Sequence, residues 1–288
     1  GRISLSPMLS YRGKLCGDLT VACLDENEFM VFGSGAAQEM HRRWFESHLD
    51  KFNLSYSNRS DEYHGLSIAG PNSRKVLEKI VRDDVSNEKF KFRDSRRMFV
   101  GGVPAIINRI SFTGELGYEI YVAPHYQLKL YEELMEAGKE FNIKPFGGRA
   151  LMSMRLEKNW GAWTLDYRPD FTAKETGLDA FINWDKEFIG KESAQKENSS
   201  NKLIPLIVET NEIDVTNNEA VMNGDQSIGY VTSGGFAHFV NKSVAFSFVD
   251  QKSINSENKI QVEINGDLFN CAIIKEPLYD PSGQKMRS

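Results

Sequence analysis

Three charged side chains sit in apolar surroundings, where a charge is costly unless it has a partner or a task. Asp18 lies in YRGKLCGDLTV (residues 11–21), beside an apolar, strand-prone run. Aspartate is a poor strand former, so Asp18 either caps a turn or points its carboxylate at a ligand. Glu119 lies in SFTGELGYEIY (residues 111–121), where two glycines set up a tight turn before an alternating strand. Alternation puts Glu119 and Tyr121 on one face and Tyr118, Ile120 and Val122 on the other. Glu119 therefore faces either solvent or the floor of a cleft. Arg155 lies in the helical run MSMRLEK (residues 152–158) among Leu151, Met154 and Leu156. A buried arginine takes a carboxylate partner as a structural ion pair, or acts as a bidentate clamp for an anionic ligand.

Other chemistries find little support. His41, His48, His64, His125 and His238 are scattered without ligand spacing, so no metal site is expected. There is no GxGxxG, P-loop or nucleophile elbow. Cys16, Cys23 and Cys271 are odd in number and lack paired spacing, which suits a reducing compartment: the cytoplasm, or the mitochondrial matrix of a eukaryotic cell. The net charge of -5 argues against a nucleic-acid surface, and no apolar run approaches the ~18 residues that would span a bilayer.

The elements that must position these residues follow from periodicity. Residues 19–24 and 29–32 read as a hairpin turned by Asp25-Glu26-Asn27-Glu28, and residues 36–49 as a helix with Met40, Trp44, Phe45 and Leu49 on one face. Strands follow at 63–69, 103–110 and 118–122, with helices at 74–81, 126–141 and 148–157. Such strand and helix units predict an α+β fold with antiparallel sheets covered by helices. The polar stretch KESAQKENSSNK (residues 191–202) reads as a linker. Beyond it, β-prone runs at 203–208, 227–231, 243–249, 259–264 and 268–274, with Asn-Gly turns at Asn223-Gly224 and Asn265-Gly266, predict a small C-terminal antiparallel β-barrel. The expected division is 1–194 and 195–288. The chain opens on Gly1 rather than methionine with a strand-like stretch almost at once, so an N-terminally truncated first domain is expected.

Read together, GKLCGDLTV, SIAGPNSRKVL, ISFTGELGYEIYV, MRLEK, ETGLD, EFIGK and IGYVTSGGF occur in the order seen in the folate-binding aminomethyltransferases. The chain resembles that family from Gly1 to about Leu278. The family includes the glycine-cleavage T-protein and the C-terminal halves of dimethylglycine and sarcosine dehydrogenases. The GELG turn and the single acid in GKLCGDL are more similar to the dehydrogenases.

The resemblance implies tetrahydrofolate as cofactor and capture of a methylene group, delivered as a small N-methylamine-derived iminium, to give 5,10-methylenetetrahydrofolate. FAD would belong to a preceding domain or an oxidase subunit. Asp18 matches the family's catalytic aspartate and Glu119 its pterin-binding glutamate. Phe32 and Gly33 match a stretch lining the pterin pocket, and Arg155 an arginine of the folate cleft. Phe112, commonly tyrosine in relatives, would pack on the ring without a hydroxyl. The alternatives are a T-protein or another folate-dependent demethylase, and a non-catalytic folate sensor or scaffold.

Overall fold

The computed structural model describes residues 1–210 and 212–288. Its first sheet comprises β1 (Arg2–Leu9), β2 (Leu15–Asp25) and β3 (Glu28–Phe32), antiparallel in that order. β2 begins at Leu15, ahead of the expected Leu19, so Asp18 lies inside the strand rather than at its start. It stands opposite Pro7 of β1, while Thr20 stands opposite both Leu5 and Phe32. Helix α1 (Gln38–Glu46) follows. It stops before Leu49 because Ser47 and His48 cap it: Ser47 Oγ donates to the Trp44 carbonyl at 2.8 Å, and His48 Nδ1 lies 2.7 Å from the same oxygen.

The second sheet holds β4 (His64–Ala69), β5 (Ser95–Val100), β6 (Val103–Asn108) and β7 (Gly117–Val122) in the order β4-β7-β6-β5. Helices α2 (Ser73–Glu78) and α3 (Gln127–Gly138) bring Leu77 and Leu130 into one core with Ile68, Ile107, Tyr118, Ile120 and Val122 of the sheet. Burying that apolar set orients β7 and turns Glu119 and Tyr121 to the opposite face. The sequence reading had no strand at β5, whose two arginines mask its alternation: Met98 and Val100 are buried, Arg97 and Phe99 exposed. Its hairpin turn, Gly101-Gly102, has φ of +57° and +79°, values that favour glycine. The two sheets are joined where Ile3 N–H donates to the Arg93 carbonyl at 2.8 Å and Ser95 N–H to that of Gly1 at 2.9 Å.

Helix α4 (Gly148–Glu157) spans the expected residues. The short α5 (Ala173–Thr176) starts with a capping box formed by Thr172 and Glu175. The expected linker at 191–202 is corrected: its first half is helix α6 (Lys191–Lys196) and its end already belongs to β8 (Asn201–Val208). Composition misleads there because the polar side chains face outward, while Ala194 is buried and its backbone lies close against Gly13.

β8 closes a barrel with β9 (Ala220–Asn223), β10 (Gln226–Ala237), β11 (Lys242–Asp250), β12 (Ile260–Ile264) and β13 (Asp267–Ile273), in the order β10-β11-β8-β13-β12-β9. Both Asn-Gly pairs turn hairpins, β9–β10 and β12–β13. The short β9 lies outside the expected strands. Leu156 of α4 packs with Val244 and Phe246 of the barrel, so the helix carrying Arg155 rests directly on it.

Candidate functional site

Asp18 and Phe32 occupy the same face of the first sheet. Thr20 is directly opposite Phe32, and Asp18 precedes Thr20 by one full strand period. The Phe32 ring lies 4.5 Å from the ring of Tyr121, centroid to centroid, on the second sheet. Tyr121 in turn donates its hydroxyl proton to Glu119 Oε2 at 2.7 Å. Gly65, across from Tyr121 on β4, leaves the space its ring occupies: a Cβ there would lie 3.0 Å from Tyr121 Cε1. The tertiary fold thus links Phe32, Tyr121 and Glu119 across the junction of two sheets, with Asp18 on the same face of the first sheet as Phe32.

Among the described residues, neither carboxyl group pairs with a cation. Burial raises the Asp18 pKa from 3.8 to about 6, partly opposed by a hydrogen bond from its own backbone N–H. Burial also raises the Glu119 carboxyl, opposed only by the Tyr121 hydrogen bond. Tyr121 is raised by burial and by the neighbouring Glu119 charge. Among the described residues no Lys, Arg or His enters either carboxyl's surroundings strongly enough to offset burial. Beside Glu119 on β6 stands Asn108, fully buried, whose amide oxygen accepts from Ser95 Oγ at 2.7 Å while its nitrogen has no partner among the described residues. An unpaired carboxylate beside a packed aromatic pair can accept two parallel N–H donors from a ligand. A carboxyl with a pKa near 6 is mostly ionised at pH 7 yet able to hold a proton.

The loop at 159–167 approaches Asp18 from another side. Tyr167 is raised by burial, with smaller contributions from Asp166 and Asp18, and its hydroxyl accepts from Gly161 N–H at 3.1 Å. Phe112, from the loop between β6 and β7, stacks on Trp160 at 6.1 Å with ring planes 19° apart. Gly33, following Phe32, packs on the far side of β2 against His41.

Arg155 does not join this constellation and forms the ion pair that is one of the two readings its sequence surroundings allow. Its guanidinium is 1% exposed and donates from Nη1 to Asp166 Oδ2 at 2.5 Å, Asp166 being 0% exposed. Asp166 also accepts from Thr232 Oγ1 at 2.5 Å, Ser233 Oγ at 2.6 Å and Ala162 N–H at 3.0 Å. The donors come from α4, the 159–167 loop and the barrel strand β10, which is a structural ion pair locking three parts of the fold together. The sequence reading missed Asp166, Tyr167 and the role of His41. No local pattern marks them, because their partners are far away in the chain. Tyr121 was within reach, since alternation alone placed it beside Glu119.

The family model described as GCVT N-terminal domain matches residues 1–186, and that of the glycine cleavage T-protein C-terminal barrel domain matches residues 201–280. The chain belongs to the GCVT family. Human mitochondrial dimethylglycine dehydrogenase is 34% identical over 286 residues, covering 96% of this chain and 33% of that protein. The chain therefore spans about a third of the length of the dimethylglycine dehydrogenases it matches. The aminomethyltransferase of Thermoanaerobacter pseudethanolicus is 29% identical over 283 residues, covering 96% of this chain and 76% of that protein. The crystal structure of the glycine cleavage system aminomethyltransferase T from Bartonella henselae superposes with a TM-score of 0.85 at 20% identity, covering 98% of this chain and 77% of that one. It has the same fold.

Proposed function

We propose that this GCVT-family chain binds tetrahydrofolate and captures a methylene group from an oxidised N-methylamine of the dimethylglycine or sarcosine type, giving 5,10-methylenetetrahydrofolate. The observation that carries the reading is Glu119: a carboxyl withdrawn from water, aligned by Tyr121 and, among the described residues, without a cation. Its unmet need is a pair of N–H donors, which is what the edge of a pterin ring presents. Tetrahydrofolate supplies the amine nitrogen that receives the one-carbon unit.

The chain's own residues then divide the work. Glu119 holds the ring edge, and Phe32 with Tyr121 gives it an aromatic wall. As the two folate nitrogens bond the methylene carbon, its bond to the donor nitrogen breaks and the demethylated amine leaves with one N–H proton. Asp18, ionised at neutral pH, stabilises positive charge at the reacting nitrogen and takes up the other proton. Exclusion of water matters because a hydrolysed iminium is lost as free formaldehyde. The iminium would come from an FAD-containing domain or subunit; no residue of this chain is assigned to that oxidation. The higher identity to dimethylglycine dehydrogenase and the GELG turn favour this donor class over the glycine-cleavage reaction.

Fluorescence of Trp44, Trp160, Trp163 and Trp184 makes a direct test possible. Saturable change on titration with tetrahydrofolate, followed by reduced release of formaldehyde when a flavin oxidase turns over dimethylglycine or sarcosine in the same solution, is the expected result. Absence of saturable binding would overturn both this reading and the sensor or scaffold alternative. Binding without formaldehyde capture would leave only the sensor.

A further inference from the structure

The largest unexplained polar group near the site is His41, which is 5% exposed on α1. It lies on the face of β2 opposite Asp18. A Cβ built on Gly17 would meet His41 Nε2 at 2.8 Å, and one built on Gly33 would meet His41 Nδ1 at 2.9 Å. Neither glycine has a positive φ, so backbone conformation does not demand glycine at these positions. The imidazole occupies the space two side chains would need, one on β2 and one just beyond the end of β3.

Its hydrogen bonding fixes its state. Nε2 lies 3.0 Å from the Cys16 carbonyl, an oxygen that can only accept, so Nε2 carries the proton. Burial lowers the His41 pKa, opposed by that same bond, which keeps the ring neutral at physiological pH. The ring of Trp163 backs it at 5.9 Å. Cys16 and Gly17 immediately precede Asp18, and Gly33 immediately follows Phe32.

We infer that His41 is a positioning residue for the site: its imidazole is the spacer that sets where the Asp18 strand and the Phe32 end of β3 lie. The role rests on the proposed folate reading for its purpose, although the spacer itself is a property of the unliganded fold. Removing the ring would let β2 and β3 settle into the vacated space, shifting Asp18 and Phe32 together without touching either.

The test uses His41→Ala, His41→Gln and Gly17→Ala, with Asp18 followed by carbonyl-¹³C NMR titration in the unliganded protein and tetrahydrofolate affinity followed by fluorescence. His41→Ala is expected to lower the Asp18 titration midpoint by admitting water, and to weaken affinity about tenfold through misplacement of the site. His41→Gln, whose amide can still donate to the Cys16 carbonyl, is expected to recover most of both. Gly17→Ala crowds the ring and pushes the strand the other way, so it should shift the Asp18 midpoint on its own yet add little to His41→Ala, where the added methyl has room. Should His41→Ala not fold, His41→Gln and Gly17→Ala decide the matter alone: an unchanged Asp18 midpoint in a folded Gly17→Ala variant overturns the spacer role. Equal midpoints in all variants overturn it too. Wild-type protein that fails to bind tetrahydrofolate would defeat the functional reading, while the Asp18 midpoints would still decide the role of His41.

Discussion

Tyr121 donates its hydroxyl proton to Glu119 at 2.7 Å, two residues apart on one strand and on the face turned away from the apolar core. The bond fixes the carboxyl's position and opposes, without reversing, the rise in its pKa that burial causes. Glu119→Gln leaves one oxygen able to accept and turns the other into a donor, so it loses half of a bidentate contact. Tetrahydrofolate affinity should fall by about 1–3 kcal/mol, roughly 5- to 150-fold. Tyr121→Phe should weaken binding by about 1 kcal/mol through loss of one hydrogen bond. Isothermal titration of the two variants measures both, and unchanged affinity in Glu119→Gln would return that residue to the solvent-facing reading.

Asp18 links pH to stability and to the reaction. Its folded-state pKa of about 6 lies above the ordinary 3.8, so between those values the folded protein holds a proton the unfolded chain has released. Stability from this group therefore falls as pH rises from about 4 to about 6 and stays low above. Asp18→Asn should stabilise the protein by about 1–3 kcal/mol at pH 7 and by almost nothing below pH ~4. Urea denaturation at both pH values checks the difference; a variant less stable than wild type at pH 7 would contradict the sign.

The same carboxyl should govern product fate. Asp18→Ala is expected to retain most folate affinity while shifting the one-carbon product from methylenetetrahydrofolate toward free formaldehyde. In the wild-type protein, the transfer rate should rise with pH up to about 6 and level off above it, because the ionised form is the working one. A product ratio unchanged by the substitution would remove Asp18 from the mechanism.

Arg155 and Asp166 make the opposite kind of prediction. Truncating either leaves a buried charge without its partner, so Arg155→Ala and Asp166→Ala should each cost about 3–5 kcal/mol of stability. Folded Arg155→Ala should keep tetrahydrofolate affinity within about threefold of wild type, because its guanidinium is occupied by Asp166 rather than aimed at a ligand. A larger loss of affinity in protein shown to be folded would restore Arg155 to the cleft.

Much of this protein is legible without coordinates, for local reasons. The alternation in GYEIYV assigns Tyr118, Ile120 and Val122 to the core and Glu119 to the other face, since a strand has only two faces. Asn223-Gly224 and Asn265-Gly266 mark two barrel hairpins because Gly224, Asn265 and Gly266 adopt the positive φ such turns need. The apolar run around Arg155 identifies helix α4. The ordered motifs carry the family likewise.

What the tertiary structure alone decides is which distant groups share an environment. Glu119 is withdrawn from solvent by packing from elsewhere, with Phe32 reaching its partner Tyr121 from another sheet. Arg155 is settled between clamp and ion pair by Asp166, whose remaining donors include Thr232 and Ser233 from the barrel. Asp18 acquires its raised pKa only when packing removes its water, and Gly17 and Gly33 acquire a reason only when His41 fills the space between them. Periodicity fixes the face a side chain occupies; desolvation and pairing depend on what arrives at that face from elsewhere in the chain.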